Sequence, residues 1–223
     1  MFPFPGGIEA LPNGTLLLSI GAALLYFIVM ETEPSLMRSA VKTISTALLA
    51  LLAYMEGGPL LLVLALALSA AGDAFLSRNG DTAFLGGLAS FLAAHIAFIT
   101  LFAQTGEGLA ILSAEPWRGL VAALAALTTL GVLFILMRRV PPTLRLPVVA
   151  YSAAILGMGV MALTTRIPLV ILGALLFMAS DTLLAWERFV APAISGSRRA
   201  MRIGVWAFYY AAQLLIVLGF VLP

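Results

Sequence analysis

The chain contains no cysteine, which removes disulfides, thiolate metal ligands and a cysteine nucleophile from consideration. Charge is scarce as well: 10% of its 223 residues are Asp, Glu, Lys or Arg, against ~25% in an ordinary soluble domain. His95 is the single histidine. A zinc hydrolase needs three or more N, S or O ligands, so a multi-histidine centre has no residues to build it; a carboxylate-rich Mg²⁺ site is chemically open, but no metal or other cofactor is expected. No Gly-x-Ser-x-Gly elbow occurs, and no acid neighbours His95 in sequence to suggest a serine triad. The net charge is only +2 and rests on arginines clustered between apolar runs, a topology signal rather than a nucleic-acid surface. Met1 to Asn13 lacks a basic n-region and a cleavage-site pattern, so no signal peptide is expected and the first span would serve for targeting.

Apolar residues fill the space that charge leaves. They make up 62% of the chain, more than one globule can hide, and arrive in long runs that imply an integral membrane protein. Stretches such as Leu60 to Leu68 are apolar on every face, whereas a membrane β-strand would alternate. The expected fold is therefore all-α: one transmembrane domain over 1–223, an eight-helix bundle with spans near 14–30, 38–55, 59–77, 83–104, 117–137, 144–163, 167–186 and 201–222. Breaks are expected at Pro141-Pro142, at Arg166-Ile167-Pro168 and from Pro192 to Arg199. Arg38, Lys42, Arg78, Arg138, Arg139, Arg145, Arg188, Arg198, Arg199 and Arg202 fall on one side of such a bundle, and only Arg118 and Arg166 on the other. The positive-inside bias then puts both termini on the non-cytoplasmic side, together with Glu9, Glu56, Glu107 and Glu115. The compact chain suits a bacterial-type cell membrane.

One short pattern occurs twice. Ser-Ala-Ala-Gly-Asp-Ala-Phe-Leu (69–76) and Phe-Met-Ala-Ser-Asp-Thr-Leu-Leu (177–184) each set a carboxylate among small residues about one turn from the cytoplasmic end of a span. An Asp within a bilayer costs at least ~2.5 kcal/mol on insertion scales. Either Asp73 or Asp181 alone reads equally well as a helix-end carboxylate that reaches water or pairs with an Arg. The matching positions instead favour a functional pair at similar depth, and suggest a four-plus-four parallel repeat. Gly72, Ala71, Ala179 and Ser180 would let a helix or substrate approach both acids.

Other polar residues fall at useful depths. Lys42, a turn inside the second span, reaches the level of the carboxylates, although a lysine there also snorkels to the interface. His95 should lie near mid-membrane, ~18 Å from the cytoplasmic end of its span. Tyr209, Tyr210 and Gln213 in the last span, and Tyr151 with Ser152 in the sixth, suit aromatic belts and interhelical hydrogen bonds as well as a polar cavity. Tyr210 and Gln213, three residues apart, share a helix face. Arg138-Arg139 and Arg198-Arg199 suit lipid phosphate or topology alone.

Lys42, Ala-Gly-Asp-Ala-Phe-Leu (71–76), Phe-Leu-Gly-Gly-Leu-Ala-Ser-Phe-Leu-Ala-Ala-His (84–95), Ser-Asp-Thr-Leu-Leu-Ala (180–185) with Arg188-Phe189, and Tyr-Tyr-Ala-Ala-Gln (209–213), in that order, resemble the YhhN-like lysoplasmalogenase family over roughly residues 40–219. The family usually has Lys-Pro at the second span and often Asn before the Arg of the seventh, where this chain has Lys42-Thr43 and Trp186-Glu187-Arg188. The resemblance implies an eight-span protein that hydrolyses the vinyl-ether bond of a lysoplasmalogen, releasing a fatty aldehyde and glycerophosphoethanolamine or glycerophosphocholine. It matches Asp73 and Asp181 to the family's candidate catalytic aspartates.

Vinyl-ether hydrolysis needs an acid to protonate the β-carbon and a negative charge to steady the oxocarbenium ion, roles that two unlike carboxyl groups can divide. Lys42 would anchor the ionised Asp or the lipid phosphate; His95, Tyr210 and Gln213 would position water, with Tyr151, Ser180 and Arg188 supporting the site. The partners are then a vinyl-ether lysophospholipid and membrane lipids. A proton-coupled transporter of a small solute, or a non-catalytic lipid-binding protein, would use the same intramembrane carboxylates.

Overall fold

A computed structural model describes residues 3–191 and 197–222. All regular structure among these residues is helical. After a 3₁₀ turn at Gly7–Glu9 come α1 (Leu11–Val29), α2 (Leu36–Met55), α3 (Leu60–Leu76), α4 (Asp81–Thr105), the one-turn α5 (Ile111–Ala114), α6 (Pro116–Leu136), α7 (Pro142–Ala162), α8 (Pro168–Phe189) and α9 (Ser197–Val221). Seven of them are long and apolar enough to cross a membrane; the expected third span is the shorter apolar helix Leu60–Leu76. The chain is an all-helical integral membrane protein.

Proline opens four helices instead of stopping them, and α1, α6 and α7 begin three, one and two residues before their expected starts while α8 begins one residue after its own. Pro12, Pro116, Pro142 and Pro168 lie in first turns, where a fixed φ suits the helix and the missing N–H has no intrahelical partner to lose. The expected break from Pro192 to Arg199 is shortened from its far end: α9 already includes Arg198 and Arg199, and residues 192–196 lie outside the described residues. The turn α5 was not anticipated, since four residues carry no periodicity.

The chain divides into two compact units, one running to Leu101 and taking up again at Val217, the other Phe102–Ile216. In the first, α2 packs on both α1 and α3. The α2–α3 turn is closed by Gly57, at φ 68°, with Gly58 N–H donating to Ala53 O at 2.8 Å and Gly57 N–H to Tyr54 O at 3.2 Å. This paired closure needs a left-handed residue, which glycine supplies without strain. It returns α3 antiparallel to α2 and sets their polar residues opposite one another. At the far side of α3 a β-carbon on Gly72 would sit 2.6 Å from the Phe91 ring, so α4 meets α3 where the absence of a side chain admits an aromatic one.

In the second unit α7 packs on α8, and α6 on both. A β-carbon on Gly173 would lie 2.9 Å from Ala212 O and 2.7 Å from Ile216 Cγ1, so α8 and α9 approach almost backbone to backbone. Leu120, Leu124, Leu127, Leu130 and Phe134 lie exposed along α6, an apolar surface suited to hydrocarbon.

Candidate functional site

Among the described residues each unit holds one buried aspartate, Asp73 in the first and Asp181 in the second. In the first, Asp73 retains 1% exposure. Lys42, the chain's one lysine, places Nζ 3.2 Å from Asp73 Oδ1, and Thr46 Oγ1 donates to Oδ2 at 2.8 Å. Lys42 and Thr46 stand one turn apart on α2, so a single face of that helix supplies both donors. The same ammonium lies 5.8 Å from the centroid of the Tyr26 ring, within cation–π range. Lys42 therefore serves as the counter-ion of Asp73; its snorkelling alternative is not what the geometry selects. One turn toward the helix end, Ser77 Oγ donates to Ser39 Oγ at 2.6 Å, continuing the polar seam between α2 and α3.

His95 is fully buried in α4. Its Nδ1 lies 2.6 Å from Phe91 O; a carbonyl only accepts, so Nδ1 carries the hydrogen in that bond. Phe91 is also the residue that packs on Gly72, which ties His95 to the helix turn next to Asp73.

In the second unit Tyr151 OH on α7 donates to Asp181 Oδ2 on α8 at 3.0 Å. An aromatic cluster from α9 adjoins it. Tyr209 meets Phe177 edge-on at 5.4 Å between centroids, and Trp206 stacks on Tyr210 at 5.9 Å. Ser180 Oγ is committed to Val205 O at 2.9 Å, so this residue ties α8 to α9. Since Ser180 faces Val205 and Gly173 faces Ala212 and Ile216, α9 runs antiparallel to α8. Gln213 then lies roughly 12 Å deeper than the Asp181 level at 1.5 Å per residue. It is fully buried, and neither atom of its amide has a hydrogen-bond partner among the described residues. Arg188 lies the other way, exposed in the last turn of α8, where a cation complements the helix dipole. The structure thus joins Tyr151 to Asp181 and Lys42 to Asp73, and separates Gln213 and Arg188 along the helices from the Asp181 level.

A third polar cluster lies outside the helices' apolar stretches. Arg166 pairs with Glu107 at 2.6 Å and with Glu115 at 3.0 Å. Buried Arg118 reaches Glu115 at 2.8 Å and donates to Leu163 O and Thr165 O at 2.5 and 2.7 Å, capping the carbonyl end of α7. The hydrogen bond from Arg166 lowers the Glu107 pKa, and the bond from Arg118 lowers that of Glu115.

The sequence assigns no bonding role to Thr46, to Ser69, which appears there only as the first residue of the 69–76 motif, or to Arg118, which appears only as a topology cation. Thr46 follows Lys42 by four residues and Ser69 precedes Asp73 by four, a spacing that marks both in retrospect. Arg118 follows a Pro at a helix start and looks like an ordinary loop cation.

A helical membrane protein with an ion-paired carboxylate buried in one unit and a tyrosine-bonded one in the other belongs to the class that places polar chemistry inside apolar helices. The model of the YhhN family matches residues 37–220, and the chain belongs to that family. A Mycobacterium bovis protein named Lysoplasmalogenase is 35% identical over 165 residues, 71% of this chain and 59% of that protein. The Lysoplasmalogenase TMEM86B of Sus scrofa is 39% identical over 155 residues, covering 70% of this chain and 61% of the relative, and that of Rattus norvegicus is 35% identical over 206 residues, 90% and 81%. The aligned part thus spans about three fifths of the length of the first two. No solved structure matches.

Proposed function

We propose that the chain is a membrane hydrolase that cleaves the vinyl-ether bond of lysoplasmalogens, with Asp73 and Asp181 as its acid–base groups. The observation that carries this reading is the buried Lys42–Asp73–Thr46 cluster, in a chain whose relatives bear the name Lysoplasmalogenase. An ion pair with an added hydroxyl donor holds Asp73 as a carboxylate, the form needed beside an oxocarbenium ion. Asp181 then falls to the acid role, its carboxyl group oriented by Tyr151.

In the proposed reaction the Asp181 carboxyl proton moves to the β-carbon of the vinyl ether, leaving a cation shared between the α-carbon and the ether oxygen. Asp73 steadies that cation and accepts a proton from the water that attacks the α-carbon. The hemiacetal collapses as its carbon–oxygen bond to glycerol breaks, the glycerol oxygen taking a proton. Vinyl ether and water thus become aldehyde and alcohol with no redox change. General acid–base help of this kind is worth about 10² to 10⁴ in rate.

The proposal includes a single domain of eight spans, α3 being the short one: 17 residues rise ~26 Å, close to the ~30 Å hydrocarbon core. It also includes a four-plus-four repeat. Supporting this, in each half the Asp of the third span accepts from a side chain on the second, Thr46 in one and Tyr151 in the other. Both termini are assigned to the non-cytoplasmic side of a bacterial-type membrane from the ten-to-two distribution of Lys and Arg.

The test is aldehyde release by purified protein from a lysoplasmalogen. Asp73→Asn and Asp181→Asn should each lose at least about 100-fold in kcat while the protein still elutes as a folded species in detergent. Full activity in either variant rejects the assignment.

A further inference from the structure

The seam between α2 and α3 has more hydroxyls than the ion pair uses. Ser77, the residue that ends α3, and Asp73 and Ser69 within it follow at four-residue steps on one buried face. On α2, Ser39 stands opposite Ser77 and Thr46 opposite Asp73, so Thr43 falls between them. The Thr43 and Ser69 hydroxyls are buried and have no hydrogen-bond partner among the described residues. They flank Asp73 along the row, Thr43 toward the helix end and Ser69 toward the interior. Beyond Ser69 the seam turns fully apolar, with Leu62, Ala65 and Leu66 on α3 and Leu49, Leu52 and Ala53 on α2. The polar row is therefore blind, and Ser69 is its last member.

A buried hydroxyl left without a partner is disfavoured, and water supplies one where the surroundings are polar and roomy enough. A serine in a helix commonly returns its hydroxyl to the carbonyl four residues earlier, a bond Ser69 does not make. Helical side chains lean toward the N-terminus of their own helix, which tilts the Asp73 carboxylate toward the turn that carries Ser69.

We propose that Ser69 Oγ holds the hydrolytic water against Asp73, at the closed end of a hydrated row that Thr43 and the Ser39–Ser77 pair open to the interface. This deepens the reading above and rests on it. The water's oxygen bonds to the α-carbon of the oxocarbenium ion while one of its protons passes to the Asp73 carboxylate; Ser69 orients the water and exchanges no proton. A row closed by leucine also suits a reaction that takes water in and lets none through.

The experiment measures kcat, KM and product partition with a lysoplasmalogen in buffer containing methanol. Methanol that captures the oxocarbenium ion yields a mixed acetal in place of the aldehyde. Ser69→Ala should lower kcat about tenfold, the worth of one hydrogen bond, leave KM within about twofold, and raise the acetal-to-aldehyde ratio. Ser69→Gly should recover part of the loss, because the vacated space admits a second water in place of the hydroxyl. A purely structural role predicts the reverse order, glycine being the poorer helix former, and an unchanged partition ratio. Wild-type kinetics and partition in Ser69→Ala, with Asp73→Asn inactive, would overturn the inference and leave the hydrolase reading standing. Absence of aldehyde release by the wild-type protein would overturn both. If Ser69→Ala does not fold, the partition ratio of Ser69→Gly decides.

Discussion

Removing Lys42 is the sharpest perturbation the structure offers. At 3.2 Å two unit charges attract by about 5 kcal/mol at an effective dielectric of about 20, a gain set against the desolvation of both groups. Truncating one partner of a buried pair strands the other charge and typically costs about 3 to 5 kcal/mol. Lys42 retains 13% side-chain exposure, so the lower figure, about 3 kcal/mol, is expected for Lys42→Met. For a protein of this length that corresponds to roughly 6 to 12 °C in the unfolding temperature. Lys42→Met/Asp73→Leu removes the stranded charge and should regain most of that stability, because apolar replacement of an entire buried pair is often neutral. Activity should not return with it. Thermal unfolding in detergent, followed for the wild type, both single variants and the double, yields the coupling energy, and aldehyde release is read on the same samples. A coupling energy below about 0.5 kcal/mol, the range of exposed pairs, would mean that Lys42 merely reaches past Asp73 to the interface, and would refute the reasoning that makes Asp73 a held carboxylate.

Thr46→Val should destabilise by about 1 to 3 kcal/mol, since a buried charged acceptor loses a donor, and denaturant or thermal titration reads this directly. Tyr151→Phe removes the Asp181 hydrogen bond and should lower kcat about tenfold, with a stability loss of about 1 kcal/mol for the donor taken from a buried acceptor. Gly173→Ala forces a methyl against Ala212 O and Ile216 and should cost about 1 to 3 kcal/mol by overpacking; an unfolding curve like that of the wild type would show that α8 and α9 are free to part. Glu107 and Glu115 have pKa values lowered by the Arg166 and Arg118 bonds. Their contribution is accordingly complete above the ordinary carboxylate range and is lost as pH falls through the lowered folded values. The unfolding temperature should therefore decline on acidification below that range, and Arg166→Gln should flatten part of the decline.

Asp73 and Asp181 were legible from sequence because a charge inside an apolar run is conspicuous whatever the packing. Thr46, Ser69 and Arg118 were not, because hydroxyls are common in helices and an arginine near a helix start has a ready topological explanation. Their significance depends on which atoms lie within 3 Å, and that is set by helix rotation and register.

Composition determined that this chain lies in a membrane, with 62% apolar residues, and apolar runs without alternation determined that it is helical, since a helix satisfies its backbone polar groups within its own segment where a barrel strand must alternate. Long apolar runs and the breaks between them placed the helices to within a few residues. Only the tertiary structure decided that Lys42 faces Asp73 rather than the interface, that Ser180 is spent on a backbone carbonyl, and that the α2–α3 seam closes at Ser69. A side chain's partner is chosen by a neighbouring helix whose position, fixed by contacts such as Gly72 against Phe91 and the turn at Gly57, is not encoded in the local run of residues.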